Sequence, residues 1–80
     1  MITLIIVDDH PVTRLGMKRM FENTSEFEVC GEFTDIAEVL RYLDGGNRAD
    51  VALLDRMLPD GDGLSLVPML KARNIRIVIL

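Results

Sequence analysis

The chain has little cysteine, little proline and no low-complexity tract, and each shortage narrows what it can be. A single cysteine, Cys30, excludes an internal disulfide and fits a reducing compartment, where it is expected as a buried core thiol. No Cys/His set with zinc-ligand spacing occurs, and the only histidine, His10, is expected as a surface or capping residue. No glycine-rich loop follows Val7, which disfavours a nucleotide-binding fold. No apolar run reaches the roughly 18 residues needed to span a bilayer. The opening MITLIIVDDH has no basic leader and meets two acids too early for a secretory signal. Nine basic residues are scattered among thirteen acids, and the net charge of −4 argues against a duplex-binding surface. A cytoplasmic domain with no membrane contact is expected.

What is present is globular: 49% of residues are hydrophobic and 28% charged. At 9.0 kDa, area scaling expects a folded surface of roughly 4,800 Å² around a modest core. The run Ile2–Val7 is apolar throughout and β-branched, as in a parallel strand covered on both faces. Pro11 suits the first position of a helix, in which Thr13, Gly16, Met17, Met20 and Phe21 form one stripe flanked by Val12 and Leu15. Phe27–Phe33 alternates apolar and acidic residues, which predicts an edge strand with one wet face. Asp35 and Glu38 resemble a capping box; Ile36, Val39, Leu40 and Leu43 then keep helical spacing until Gly45-Gly46-Asn47. Val51–Asp55 reads as another buried strand. Leu64, Val67 and Leu70 suggest a third helix, kinked by Pro68, and Ile75–Leu80 a last strand.

The order β-α-β-α-β-α-β implies a parallel, right-handed, doubly wound α/β sheet. Sites in such sheets form beyond the carboxyl ends of the strands, where the winding reverses. Asp8-Asp9 and Asp55 both end apolar strands. If those strands are neighbours, three carboxylates converge; if not, the acids splay into water. Two carboxylates about 4 Å apart repel by roughly 4 kcal/mol at an effective dielectric near 20. Convergence therefore calls for protonation or a hard cation, and all-oxygen ligands suit Mg²⁺. A carboxylate beside that ion can be a ligand, a general base or a nucleophile that forms an acyl phosphate. Pro59, Gly61 and Gly63 allow the loop after Asp55 to turn tightly and lend a backbone carbonyl, that of Met57, to the ion. Asp60 and Asp62 are expected as solvated turn acids rather than ligands.

With these residues in place the chain resembles the receiver domain of two-component response regulators. The motifs are DDHP after the first strand and LLDRMLPDGDG after the third, with Pro59 and Gly63 four and eight residues past Asp55. The Asp-Asp-His-Pro opening with Arg14 and Gly16 resembles the subfamily whose output domain is a LuxR/NarL-type helix-turn-helix. The resemblance covers all 80 residues. It implies a CheY-like (flavodoxin-like) fold and a phosphoacceptor signalling domain rather than an enzyme. Asp55 would accept a phosphoryl group from a sensor histidine kinase, Asp9 and Asp55 would bind Mg²⁺ with the Met57 carbonyl, and Asp8 would help through water. DNA would be reached only through an output domain. Arg56 stands where the family usually carries an apolar residue, and a solvent-exposed side chain near the pocket is expected.

Family receivers continue with a Ser or Thr past the fourth strand, two further helices and a fifth strand ending in Lys. Residues 1–80 match the part before these. The resemblance therefore implies an incomplete receiver, the N-terminal part, with its last two helices and fifth strand absent. Missing donors at a transfer site cost about 2.7–4 kcal/mol each by analogy with oxyanion holes, so slow phosphorylation is expected. The unpaired apolar edge at Ile75–Leu80 predicts a homodimer or higher association. Two other classes compete. A receiver-like interaction or dimerisation module would need no phosphorylation. A Mg²⁺-dependent phosphatase is disfavoured, because no Asp-x-Asp follows the first strand and no general acid is evident near Asp55.

Overall fold

A computed structural model describes all 80 residues. Four parallel strands form the main sheet: β1 (Ile2–Val7), β2 (Phe27–Phe33), β3 (Val51–Leu54) and, after a short hairpin, β6 (Arg76–Ile79). Their spatial order is β2-β1-β3-β6, so the winding reverses between β1 and β3. Helix α1 (Pro11–Glu22) covers one face; α2 (Ile36–Asp44) and α3 (Val67–Ala72) contribute to the core on the other. The doubly wound α/β expectation holds. The accessible surface, 4858 Å², agrees with the area scaling for this mass.

The two faces are unequal. Eleven buried residues, among them Ile5, Val7, Val39, Leu54, Leu66 and Leu70, form the core under α2 and α3. Leu4, Ile6 and Leu53 alone are buried under α1, with Met17, Phe21, Phe27 and Val29 packed partly against them. Buried aliphatic side chains of this size contribute about 1.5–3 kcal/mol each, so the α2/α3 face carries most of the stability.

Several local expectations are corrected. On α1, the inward positions are Arg14, Met17, Lys18 and Phe21, while Thr13, Gly16 and Met20 are exposed. Met17 and Phe21 pack against Leu4, Ile6 and Leu53, and beside them Arg14 Nε and Lys18 Nζ lie 3.6 and 3.0 Å from Glu32 of the edge strand. The strand β2 has no single wet face. Leu4 pairs with Val29 but Ile5 pairs with Gly31, so Cys30 is an extra, bulged residue. The bulge sends Phe27 and Val29 to the α1 face and Phe33 to the opposite one. Cys30 is consequently exposed rather than a core thiol, its sulfur 3.5 Å from the Tyr42 hydroxyl.

The third helix is two pieces, a 3-10 turn over Gly63–Leu66 and then α3, which places Pro68 in the first turn of α3, where its missing N–H is harmless. Before them lies a hairpin the sequence pattern did not show, β4 (Met57–Leu58) antiparallel to β5 (Gly61–Asp62). The cap of α2 is present, with the Glu38 N–H donating to Asp35 Oδ1 at 2.8 Å. The reciprocal bonds come from Thr34, whose N–H and hydroxyl donate to Glu38 Oε1 at 2.6 and 2.7 Å.

Candidate functional site

Strand β1 delivers Asp8 and Asp9, and β3 delivers Asp55, at adjacent carboxyl ends. Val7 pairs with Leu54, and the Asp55 N–H donates to the Val7 carbonyl at 2.9 Å. The strands are neighbours because each is apolar on both faces and belongs at the sheet centre. Ligand atoms of Asp8, Asp9, His10 and Asp55 lie within 4.8 Å of one another. The acids converge, and the splayed alternative is excluded.

His10 is exposed, as expected, but its ring is turned to the acids. It occupies the N-cap position of α1 but makes no side-chain cap bond. Its Nδ1 instead lies 3.0 Å from Asp8 Oδ1, 3.2 Å from Asp9 Oδ1 and 3.6 Å from Asp55 Oδ2. The hydrogen bond to Asp8 and then the charge of Asp9 raise the imidazole pKa above its ordinary value. A lone histidine gives no periodic signal; its two nearer partners, Asp8 and Asp9, precede it directly in sequence, and Asp55, far along the chain, adds the third. Asp8 is nearly fully buried and also accepts the His10 N–H at 2.8 Å, while Arg14 Nη1 donates to its backbone carbonyl at 2.7 Å.

Asp9 Oδ1 is buried and accepts no hydrogen bond; His10 Nδ1 reaches it at ion-pair distance only. A buried oxygen left unsatisfied beside two further carboxylates is a site for a hard cation, so the donor set fits a divalent ion. Asp55 Oδ1 accepts the Met57 N–H at 3.1 Å, which ties the acid to the loop behind it. The Met57 side chain is 80% exposed.

Asp60 and Asp62 stay out of the acidic cluster, but neither is simply solvated. Asp60 accepts the N–H groups of Ile36 and Ala37 at 2.9 and 3.0 Å, so it caps α2 from across the molecule. These bonds lower its pKa. Asp62 Oδ1 accepts the Leu64 N–H at 2.9 Å, and its Oδ2 pairs with Arg56 Nη2 at 3.1 Å. Arg56 is exposed, as expected. Asp55, Arg56, Met57, Leu58, Asp62 and Leu80 line a cavity of about 650 Å³ beside the acids.

Similarity to known proteins shows the family. The family profile described as the response regulator receiver domain matches residues 4–80. The chain is 38% identical over 82 residues to the DNA-binding transcriptional activator DevR/DosR of Mycobacterium tuberculosis, covering 100% of this chain and 37% of that protein. It is 28% identical to the nitrate/nitrite response regulator NarL of Escherichia coli K12, over 96% of this chain and 36% of that protein. The receiver domain of the stress response regulator RcsB from Escherichia coli superposes with a TM-score of 0.85 at 30% identity, over 99% of this chain and 63% of that one. The chain belongs to the response regulator receiver family, and its relatives are regulators of the NarL, RcsB and DevR type. It spans about a third of the length of the curated relatives it matches. No helix is long and apolar enough to cross a membrane.

Proposed function

We propose that this chain is a phospho-accepting receiver, with Asp55 taking a phosphoryl group from a sensor histidine kinase. Support comes above all from the convergence of Asp8, Asp9 and Asp55 within 4.8 Å at the point where the winding reverses. In this reading Asp9, Asp55 and the Met57 carbonyl hold Mg²⁺, with Asp8 acting through water. Bound there, the ion would supply positive charge to the phosphoryl oxygens. The chain's own residues do the rest. The Met57 N–H orients the Asp55 carboxylate, and the neighbouring acids concentrate cations at its free oxygen. The protein acts as a signalling switch rather than a turnover enzyme, in a cytoplasmic setting.

Residues 1–80 are read as the N-terminal part of a receiver domain, in keeping with a match that covers 63% of the RcsB receiver. Control of transcription would run through a DNA-binding output domain such as the one in the name of DevR/DosR. The test is labelling by acetyl phosphate with Mg²⁺. Asp55→Asn is expected to abolish it and Asp60→Asn to retain it; equal labelling of both variants refutes the assignment.

A second reading, a dimerisation module that needs no phosphorylation, is favoured by one feature. The edge strand β6 and its end leave Val78 49%, Ile79 44% and Leu80 50% exposed beside an unpaired backbone edge. Association through that edge is compatible with either reading, and light scattering showing a monomer at high concentration would count against it.

A further inference from the structure

The geometry points to Arg56 as the residue that binds the phosphoryl donor, held beforehand by Asp62, given Asp55 as the acceptor proposed above. Arg56 follows Asp55 directly, and both line the same cavity of about 650 Å³ with Asp62. The other basic side chains on this side of the fold already have partners: His10 among Asp8, Asp9 and Asp55, Arg14 with the Asp8 carbonyl and Glu32, and Lys18 with Glu32. Among residues 1–80, Arg56 is the one basic residue bordering the cavity.

Its present partner is well suited to releasing it. The Arg56–Asp62 pair spans the β4–β5 hairpin with side chains 57% and 51% exposed, and exposed pairs of this kind are weak and readily exchanged. Asp62 keeps a second bond, from the Leu64 N–H, so the hairpin does not depend on Arg56 staying. A phosphoryl dianion carries more charge than one carboxylate and offers two oxygens to the guanidinium fork. Arg56 therefore moves from Asp62 to the donor when the donor enters.

In the transfer, an Asp55 carboxylate oxygen attacks the phosphorus of acetyl phosphate. The bond from phosphorus to the acetyl oxygen breaks, and acetate leaves with the electron pair. No proton moves, and Arg56 stays charged. Because the guanidinium attracts the donor before and during transfer alike, it lowers the half-saturating donor concentration and leaves the maximal rate nearly unchanged.

The experiment measures initial rates of Asp55 labelling against acetyl phosphate concentration, with Mg²⁺, in the full chain. It compares the native protein, Arg56→Ala, Asp62→Asn and the double variant. Arg56→Ala is expected to raise the half-saturating concentration about 3- to 5-fold, the upper part of the range of an exposed ion pair, with the maximal rate within about twofold. Asp62→Asn retains the amide oxygen that caps Leu64 and is expected to lower that concentration about twofold by freeing Arg56. In the Arg56→Ala background Asp62→Asn should have no effect. An unchanged half-saturating concentration in Arg56→Ala, or an Asp62→Asn effect of equal size with and without Arg56, overturns the assignment. Absence of label on the native protein, or label surviving Asp55→Asn, overturns the acceptor reading beneath it instead. Both substituted side chains are exposed, and thermal midpoints near the native value would show that the fold is kept.

Discussion

Gly63→Ala offers a sharp test of how the loop supports the site. Gly63 ends the β4–β5 hairpin, and its N–H donates to the Arg56 carbonyl at 2.6 Å. Its backbone does not demand glycine, since the positive-φ glycines are Gly46 and Gly61. The demand is for space. A Cβ there would overlap the Asp55 carbonyl oxygen and lie 3.1 Å from its carbon and 3.3 Å from Leu54 Cδ1. The obstruction is main chain, which cannot swing away as a side-chain tip can. Overpacking costs about 1–3 kcal/mol, and a rigid obstacle places this case near 3. A domain of this size has roughly 4–12 kcal/mol of stability, so the loss is a large share. At about 4–8 °C per kcal/mol, the melting midpoint should fall by roughly 12–24 °C. Because Asp55 must shift, Mg²⁺ titration of whatever folds should also show weaker binding. Gly16→Ala is the control: a Cβ there meets nothing within 4 Å, on a helix that gains about 0.5–1 kcal/mol from Ala. Urea denaturation followed by circular dichroism reads both variants. A Gly63→Ala protein within about 0.5 kcal/mol of the native one would refute the steric reasoning.

Three further outcomes are expected. Asp35→Ala removes the acceptor for the Glu38 N–H and should lower stability by about 1 kcal/mol in the same denaturation assay, whereas Asp35→Asn should lose less. Glu38, Asp50, Asp60 and Asp62 all have pKa values lowered in the folded protein, chiefly by hydrogen bonds from Thr34, Thr3, Ile36 and Arg56 respectively. Their contribution is present above the ordinary carboxylate range and is lost as pH falls through the folded values, so the thermal midpoint should drop below about pH 4 from its value at pH 6; a midpoint unchanged at pH 3 would contradict this. Cys30 should react with a soluble disulfide reagent stoichiometrically without denaturant, and protection until unfolding would contradict its exposed place on the bulge.

The loop after Asp55 has two anchors that together explain why it can be both tight and exposed. The Met57 N–H fixes it to the Asp55 side chain, and Asp60 fixes its tip to the first N–H groups of α2. Those N–H groups lack intrahelical partners and carry the positive end of the helix dipole, so a carboxylate suits them. A displacement of the loop at Asp55 would therefore be felt at α2.

Much of this was legible in the order of residues, because it is encoded locally. Continuous β-branched runs at Ile2–Val7 and Val51–Leu54 specify strands buried on both faces, the spacing of Ile36, Val39, Leu40 and Leu43 a helix, and Asp35 its start. Carboxylates at the ends of two such strands then identify the candidate site once winding is inferred. Other features depend on partners distant in sequence. The bulge at Cys30 arises from pairing β2 with β1, which reverses the faces of Phe27 and Phe33. Arg14 and Lys18 of α1 find their partner, Glu32, on another element. Asp55 is brought to the side of His10 and the two acids before it only by strand pairing, and Asp60 finds a helix N-terminus more than twenty residues upstream. Backbone propensity and hydrophobic period act over a few residues and so can be read along the chain. Electrostatic and capping partners are chosen by proximity in space, which the folded sheet alone supplies.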